Sequence, residues 1–137
     1  MKPRVLLVDD EPDFLELLEW NLRRRGYDVI TANAGLEALN KARRESPHVI
    51  LLDLMLPDLD GFAVCEILSA QSSTRDMPVI ILSALDAPPN RQRGERLHVS
   101  AYCRKGADFE TIEALIRTAI EQHHARIQVR VSSVHGA

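Results

Sequence analysis

Five residues stand out as candidates for chemistry: the adjacent Asp9 and Asp10, then Asp53, Ser83 and Lys105. Each closes or directly follows a short apolar run. Asp9-Asp10 follow "RVLLV", Asp53 ends "HVILLD", Ser83 ends "PVIILS", and Lys105 lies just past "VSAYC". Carboxylates brought together repel, and taking them out of water is costly unless positive charge sits between them. Three clustered carboxylates, a backbone carbonyl and waters make the oxygen shell that Mg²⁺ favours. A cation beside an open carboxylate and a lysine suits phosphoryl transfer, with positive charge on two sides and a nucleophile between. Aspartate is a competent nucleophile and would form an aspartyl phosphate. Singly, each of these residues reads as a turn, cap or surface residue. Four apolar runs that each end in such a group are the stronger signal.

The elements that must position them are legible from patterning. Apolar runs at 4–9, 27–32, 48–53, 78–83 and 99–103 are continuous rather than alternating, as in strands buried on both faces of a parallel sheet. Amphipathic stretches lie between them. In 11–25, Phe14, Leu15, Leu17, Leu18 and Leu22 form a stripe, Asp10 is the expected N-cap, Pro12 fits the first turn and Gly26 ends the helix. Acids at its start and Arg23 to Arg25 at its end complement the helix dipole. Asn33 is the expected cap of a second helix, with Leu36, Leu39 and Ala42 facing in before Pro47. Asp60 and Gly61 open a third, carrying Phe62, Cys65, Ile67 and Leu68. Asp108 caps a last one, with Ile112, Leu115, Ile116, Ala119 and Ile120 at helical spacing. The segment 86–98, "DAPPNRQRGERLH", is expected to be a short, irregular fourth helix. Residues 122–137 are expected to be a fraying end or the start of a linker after a domain at 1–121. Strands joined by helices give parallel neighbours, right-handed crossovers and a three-layer α/β sandwich. Sites in such sheets lie beyond the carboxyl ends of the strands, which brings the five residues to one edge.

Composition bounds the reading. A chain of 137 residues supports one domain with a real core. A net charge of −3 argues against a general nucleic-acid binder, which usually carries a basic surplus. No apolar run approaches the length of a membrane span, and no signal peptide pattern opens the chain, so a cytoplasmic location is expected. Cys65 and Cys103 lack metal or redox spacing and read as reduced packing residues, and the five histidines show no ligand pattern.

The order Asp9-Asp10, Asp53, Ser83, Lys105 resembles the receiver domain of two-component response regulators. So do "LLDLMLPDLDG" (51–61), with Asp53, Pro57 and Gly61 in the family's spacing, and "MPVIILSA" (77–84). Tyr102, three residues before Lys105, stands where the family often has a switch aromatic. The resemblance spans about residues 4 to 121. It implies a flavodoxin-like, doubly wound sheet of strand order 2-1-3-4-5. It implies that Asp53 is the phosphoacceptor, and that Asp9, Asp10, Asp53 and the carbonyl of Met55 hold Mg²⁺. Lys105 would pair with the phosphoryl oxygens, Ser83 would donate its hydroxyl to them, and Tyr102 would turn inward to follow. The expected partners are a sensor histidine kinase or phosphotransfer protein and an output domain or downstream protein. No membrane and no direct nucleic-acid contact are expected, and the chain would be a monomer or weak dimer. Such a protein catalyses only its own phosphorylation and dephosphorylation.

Some positions depart from that pattern. Gly106 replaces the proline that usually follows the lysine, so a trans or mobile loop is expected there, with Lys105 able to reach the site but less preorganised. His98 stands where a glycine is common. Arg91, Arg93 and Arg96 make the 86–98 segment basic, a candidate partner-selecting surface. Met55 and Leu85, each two residues past a site residue, are apolar along the path of an attacking water, so slow self-dephosphorylation is expected. Glu11 and Asp13 read as first-turn helix acids rather than ligands. An aspartyl-phosphate phosphatase would need a second Asp at position 55. A flavin or nucleotide carrier would need a Gly- or Ser/Thr-rich phosphate loop where "DDEPDF" stands. The remaining alternative is a degenerate receiver that acts only as a protein-interaction module.

Overall fold

The computed structural model describes residues 2–84 and 99–135, with 129–135 described as helix backbone alone. Five strands form one sheet: β1 (Arg4–Val8), β2 (Asp28–Ala32), β3 (Val49–Asp53), β4 (Val79–Ser83) and β5 (Ala101–Arg104). Their order is β2-β1-β3-β4-β5 and every neighbouring pair is parallel. Four helices are present among the described residues: α1 (Pro12–Arg24), α2 (Gly35–Glu45), α3 (Gly61–Ala70) and α4 (Phe109–His135). The doubly wound α/β reading therefore holds, with strand limits within two residues of the apolar runs. The irregular helix expected over 86–98 lies outside the described residues, as do Leu85, His98, Arg91, Arg93 and Arg96.

The strands are continuous apolar runs because both faces are covered. Every residue of β3 and β4 is buried. Leu6, Val8, Ile50, Leu52 and Ile81 pack on the side of α2 and α3. Their strand neighbours Val5, Leu7, Leu51, Ile80 and Leu82 pack on the side of α1 and α4. This alternation is the period of two that a strand imposes. Cys65 and Cys103 are free, buried and on opposite sides of the sheet, which rules out pairing within the domain.

Several local expectations are corrected. Leu17 and Leu36, assigned to inward faces, are 63% and 61% exposed, because the core covers a narrower stripe on each helix. The N-cap position of α1 is Glu11, not Asp10. The Glu11 N–H donates to Asp9 Oδ1 at 2.9 Å, so the first carboxylate supplies what a cap residue would. The N-cap position of α2 is Ala34, not Asn33, and Ala34 has no side-chain acceptor. Asp60 and Asp108 act as expected, accepting from Ala63 N–H and Thr111 N–H, each at 2.8 Å. Gly26, at φ 93°, stops α1. The last helix does not fray near 121 but continues to His135. Ile112, Ile116 and Ala119 anchor its first part, and Glu113, buried there, accepts from Tyr27 Oη at 3.0 Å and Arg117 Nη1 at 2.7 Å.

Two glycines test how tightly the carboxyl edge is built. A Cβ at Gly61 would lie 2.7 Å from the Asp53 carbonyl oxygen and 2.9 Å from Leu54 Cα, backbone that cannot move aside. Gly106 has nothing within 4 Å of the same position. Gly61→Ala should therefore destabilise the fold by roughly 1–3 kcal/mol, and Gly106→Ala should leave it within about 0.5 kcal/mol. Urea unfolding of the two variants against the parent checks this.

Candidate functional site

The carboxyl edge of the sheet gathers the polar residues. Asp9 follows β1, Asp53 ends β3, Ser83 ends β4, and Lys105 follows β5. Asp9 and Asp53 are buried and Asp10 is exposed, and each offers a carboxylate oxygen within 4.8 Å of the others. β1 and β3 are adjacent, with Val8 opposite Leu52, so strand register alone puts the two ends together. Lys105 is anchored by its own N–H, which donates to the Ser83 carbonyl at 2.9 Å. Its ammonium lies 2.8 Å from Asp9 Oδ2, 2.5 Å from Glu11 Oε1 and 3.7 Å from Asp53 Oδ2. It also sits 4.8 Å above the Phe14 ring, a cation–π contact. No cis peptide bond occurs among the described residues, and Lys105 reaches the carboxylates with Gly106 behind it. Ser83 is buried at the end of β4, one residue beyond Leu82, which pairs with Asp53. Tyr102 pairs with Ile81 and packs half-buried against the α2–α3 side of the core.

Burial raises the Asp53 pKa above the ordinary carboxylate value. The Met55 N–H, 3.2 Å from Asp53 Oδ1, pulls it back, Asp9 pushes it up, Lys105 lowers it and Asp10 adds to the rise. Burial works to lower the Lys105 pKa, but its close contacts with Asp9 and Glu11 and the charge of Asp53 outweigh it, so the ammonium is held above its ordinary value. Asp9 Oδ2 is sealed from solvent. Its contact with Lys105 is close enough for an ion pair and too oblique for a hydrogen bond. One ammonium thus faces several acids, and hard oxygen donors are left on three carboxylates. That donor set fits a small divalent cation such as Mg²⁺.

Two residues here were not singled out as site residues by sequence reasoning. Glu11, read as a helix acid, also holds Lys105. Asp58, inside "LPDLDG", accepts from the Gly35 and Leu36 N–H groups at 2.7 and 3.0 Å and so caps α2 from another loop. Those bonds hold the Asp58 carboxyl below the ordinary range. A cavity of about 410 Å³ lies at the opposite end of the sheet, between Met77–Val79, Val99 and Ile127, and includes none of these groups.

The site is thus an acidic triad and a lysine at the carboxyl edge of a doubly wound sheet. The response regulator receiver domain matches residues 5–117, and the chain belongs to that family. It is 39% identical over 122 residues to the alkaline phosphatase synthesis transcriptional regulatory protein PhoP of Bacillus subtilis (strain 168), covering 89% of this chain and 50% of PhoP. It is 39% identical over 118 residues to the response regulator PleD of Caulobacter vibrioides, covering 86% of this chain and 26% of PleD. The chain thus spans half or less of the length of these relatives. Among solved structures, the chemotaxis response regulator CheY4 of Vibrio cholerae superposes with a TM-score of 0.81 at 28% identity, covering 87% of this chain and 99% of CheY4. The Francisella response regulator 1452 receiver domain gives 0.80 at 30%, covering 88% and 98%.

The raised Asp53 pKa has a sign that can be tested. The folded protein binds the Asp53 proton more tightly than the unfolded chain does. Its ionisation therefore costs stability as pH rises from the ordinary carboxylate value through the folded one, and the cost persists at neutral pH. In EDTA, Asp53→Asn should unfold at a higher temperature than the parent near pH 7, with the gap closing towards about pH 4. Thermal unfolding of both proteins across that range is the measurement. An equal or lower Tm for Asp53→Asn near neutrality would count against this account.

Proposed function

We propose that this domain is a phospho-accepting signalling switch whose phosphoacceptor is Asp53. The observation that carries the reading is the meeting of Asp9, Asp10 and Asp53 within 4.8 Å, with the Lys105 ammonium among them. The donor would be a phosphohistidine on a sensor histidine kinase or phosphotransfer protein. An Asp53 carboxylate oxygen forms the new bond to phosphorus, the phosphorus–nitrogen bond breaks, and its electron pair stays on the histidine. The chain catalyses this on itself and acts on no separate substrate.

Asp9, Asp10, Asp53 and the Met55 carbonyl would hold Mg²⁺, which supplies charge neutralisation for the transferring phosphoryl group when bound. Lys105 orients and neutralises phosphoryl oxygens from the opposite side, which requires it to exchange Glu11 for them. Ser83 donates its hydroxyl to the group, and Tyr102 follows inward along the adjacent strand. A phosphoryl group brings roughly −1.5 to −2 charges and three acceptor oxygens. That is enough to bias a loop-and-rotamer equilibrium of a few kcal/mol. The Ser83–Tyr102 face then reports the state to an output domain or downstream protein. A cytoplasmic location, a monomer or weak dimer, and the absence of direct nucleic-acid contact by this domain complete the proposal. No helix among the described residues is long and apolar enough to cross a membrane.

Incubation with acetyl phosphate and Mg²⁺, followed by intact mass measurement, should show one phosphoryl adduct, absent in Asp53→Ala. No adduct on the parent would sink the reading and leave a protein-interaction module. Met55 is 75% exposed beside the acceptor and offers water no polar handle. Met55→Asn should shorten the lifetime of the phosphorylated form several-fold, followed by the decay of the mass adduct after the donor is removed.

A further inference from the structure

The β2–α2 junction carries no reactive group, yet it touches both carboxylate-bearing loops. At one end, the Asp9 N–H donates to the Ala32 carbonyl at 3.1 Å. At the other, the Gly35 and Leu36 N–H groups donate to Asp58 at 2.7 and 3.0 Å. Between them lie only Asn33 and Ala34. Asp58 sits at the tip of the loop that leaves Asp53. The base of that loop is closed by Gly61 N–H to the Leu54 carbonyl at 2.8 Å, and its first turn by Met55 N–H to Asp53 Oδ1 at 3.2 Å. Contact at the tip is intimate: a Cβ on Gly35 would lie 2.9 Å from Leu59 Cβ and 3.2 Å from Asp58 Oδ1.

We propose that Asp58 is a positioning residue: by capping α2 across the loop boundary, it straps the Asp53–Gly61 loop to the junction that also holds Asp9. The physical argument is one of orphan donors. The first N–H groups of a helix need acceptors, and Ala34 at the cap position provides none from its side chain. Asp58 meets that need with both oxygens, and Oδ1 also accepts from its neighbour Leu59 N–H at 2.9 Å. The free energy of capping α2 is thereby made conditional on where the loop lies. Asp58 touches none of the three site carboxylates. It acts through the loop backbone that aims Met55 at Asp53 and fixes the spacing between the ligands on β1 and β3. The proposal rests on the reading of that triad as a cation and phosphoryl site.

The test separates capping from strapping. Asp58→Ala should lower Tm by a few degrees and weaken Mg²⁺ binding about ten-fold by calorimetric titration. Adding Ala34→Asp to that variant returns a cap from within the α2 chain itself, at a residue already in an extended cap conformation (φ −154°, ψ 160°). The double variant should recover Tm but not Mg²⁺ affinity, whereas Asp58→Asn, which keeps an acceptor oxygen, should recover part of both. Mg²⁺ affinity equal to the parent in Asp58→Ala, or recovered together with Tm in the double variant, would overturn the proposal. Failure of the parent to bind Mg²⁺ would instead remove the triad reading. In that case hydrogen exchange at the Met55 amide still decides the strap: it should be faster in Asp58→Ala and stay faster in the double variant, and unchanged exchange overturns it.

Discussion

The rest of the domain depends on a conflict of like charges at one edge of the sheet. The strand pairing that buries Val8 against Leu52 also delivers Asp9 and Asp53 to neighbouring positions, with Asp10 beside them. Hydrophobic burial drives the strands together and has no means of sparing the carboxylates at their ends. Lys105 answers part of that conflict, arriving from β5 on the far side of β4. Its three acidic neighbours differ in exposure. Asp9 and Asp53 are buried, while the Glu11 side chain is 66% exposed and can release the ammonium into water with little penalty. The ion pair that is easiest to give up is therefore the one with Glu11.

Close packing makes this charge arrangement specific. The Gly61 backbone lies directly on the Asp53 carbonyl, so α3 starts close to where β3 ends and leaves no slack between them. The loop between the two is closed at its base by a backbone bond and at its tip by the Asp58 carboxylate. Held at both ends, a short loop has few conformations to lose on binding a cation, which is what preorganisation means in free-energy terms. The open side is where Met55 projects to solvent.

Much of this was legible in the amino-acid sequence, for identifiable reasons. Continuous Val, Ile and Leu runs mark strands buried on both faces, and the polar residue that ends or closely follows four of the five runs marks the carboxyl edge. Fold, strand order and the placement of Asp9, Asp10, Asp53, Ser83 and Lys105 on one edge follow from those two facts and the family pattern. What escaped depended on contacts between residues distant in sequence. A cap for α2 was sought at Asn33, next to the helix, but Asp58 reaches it from 23 residues away. Glu11 satisfied a helix-dipole argument completely, so nothing local hinted at a partner 94 residues on. Leu17 and Leu36 obey helical periodicity, yet periodicity cannot say how wide a stripe the core will cover. The continuation of α4 past 121 was missed because the polar run with His123, His124, Ser132 and Ser133 outweighed Ile127, Val131 and Val134, which recur at helical spacing.

That continuation changes the mechanical character of the domain. Twenty-seven residues of α-helix make a rod about 40 Å long. Its anchoring residues, Ile112 to Ile120, occupy only the first half, against β3, β4 and β5. Ile127 is already 43% exposed. The fulcrum is thus beside the strands that carry Ser83 and Tyr102, and the helix runs on for roughly 22 Å from Ile120 to His135. For a rod of that length, a tilt of about 5° at the fulcrum displaces the far end by about 2 Å. A rearrangement too small to disturb the core packing is geometrically amplified into a displacement as large as an atom.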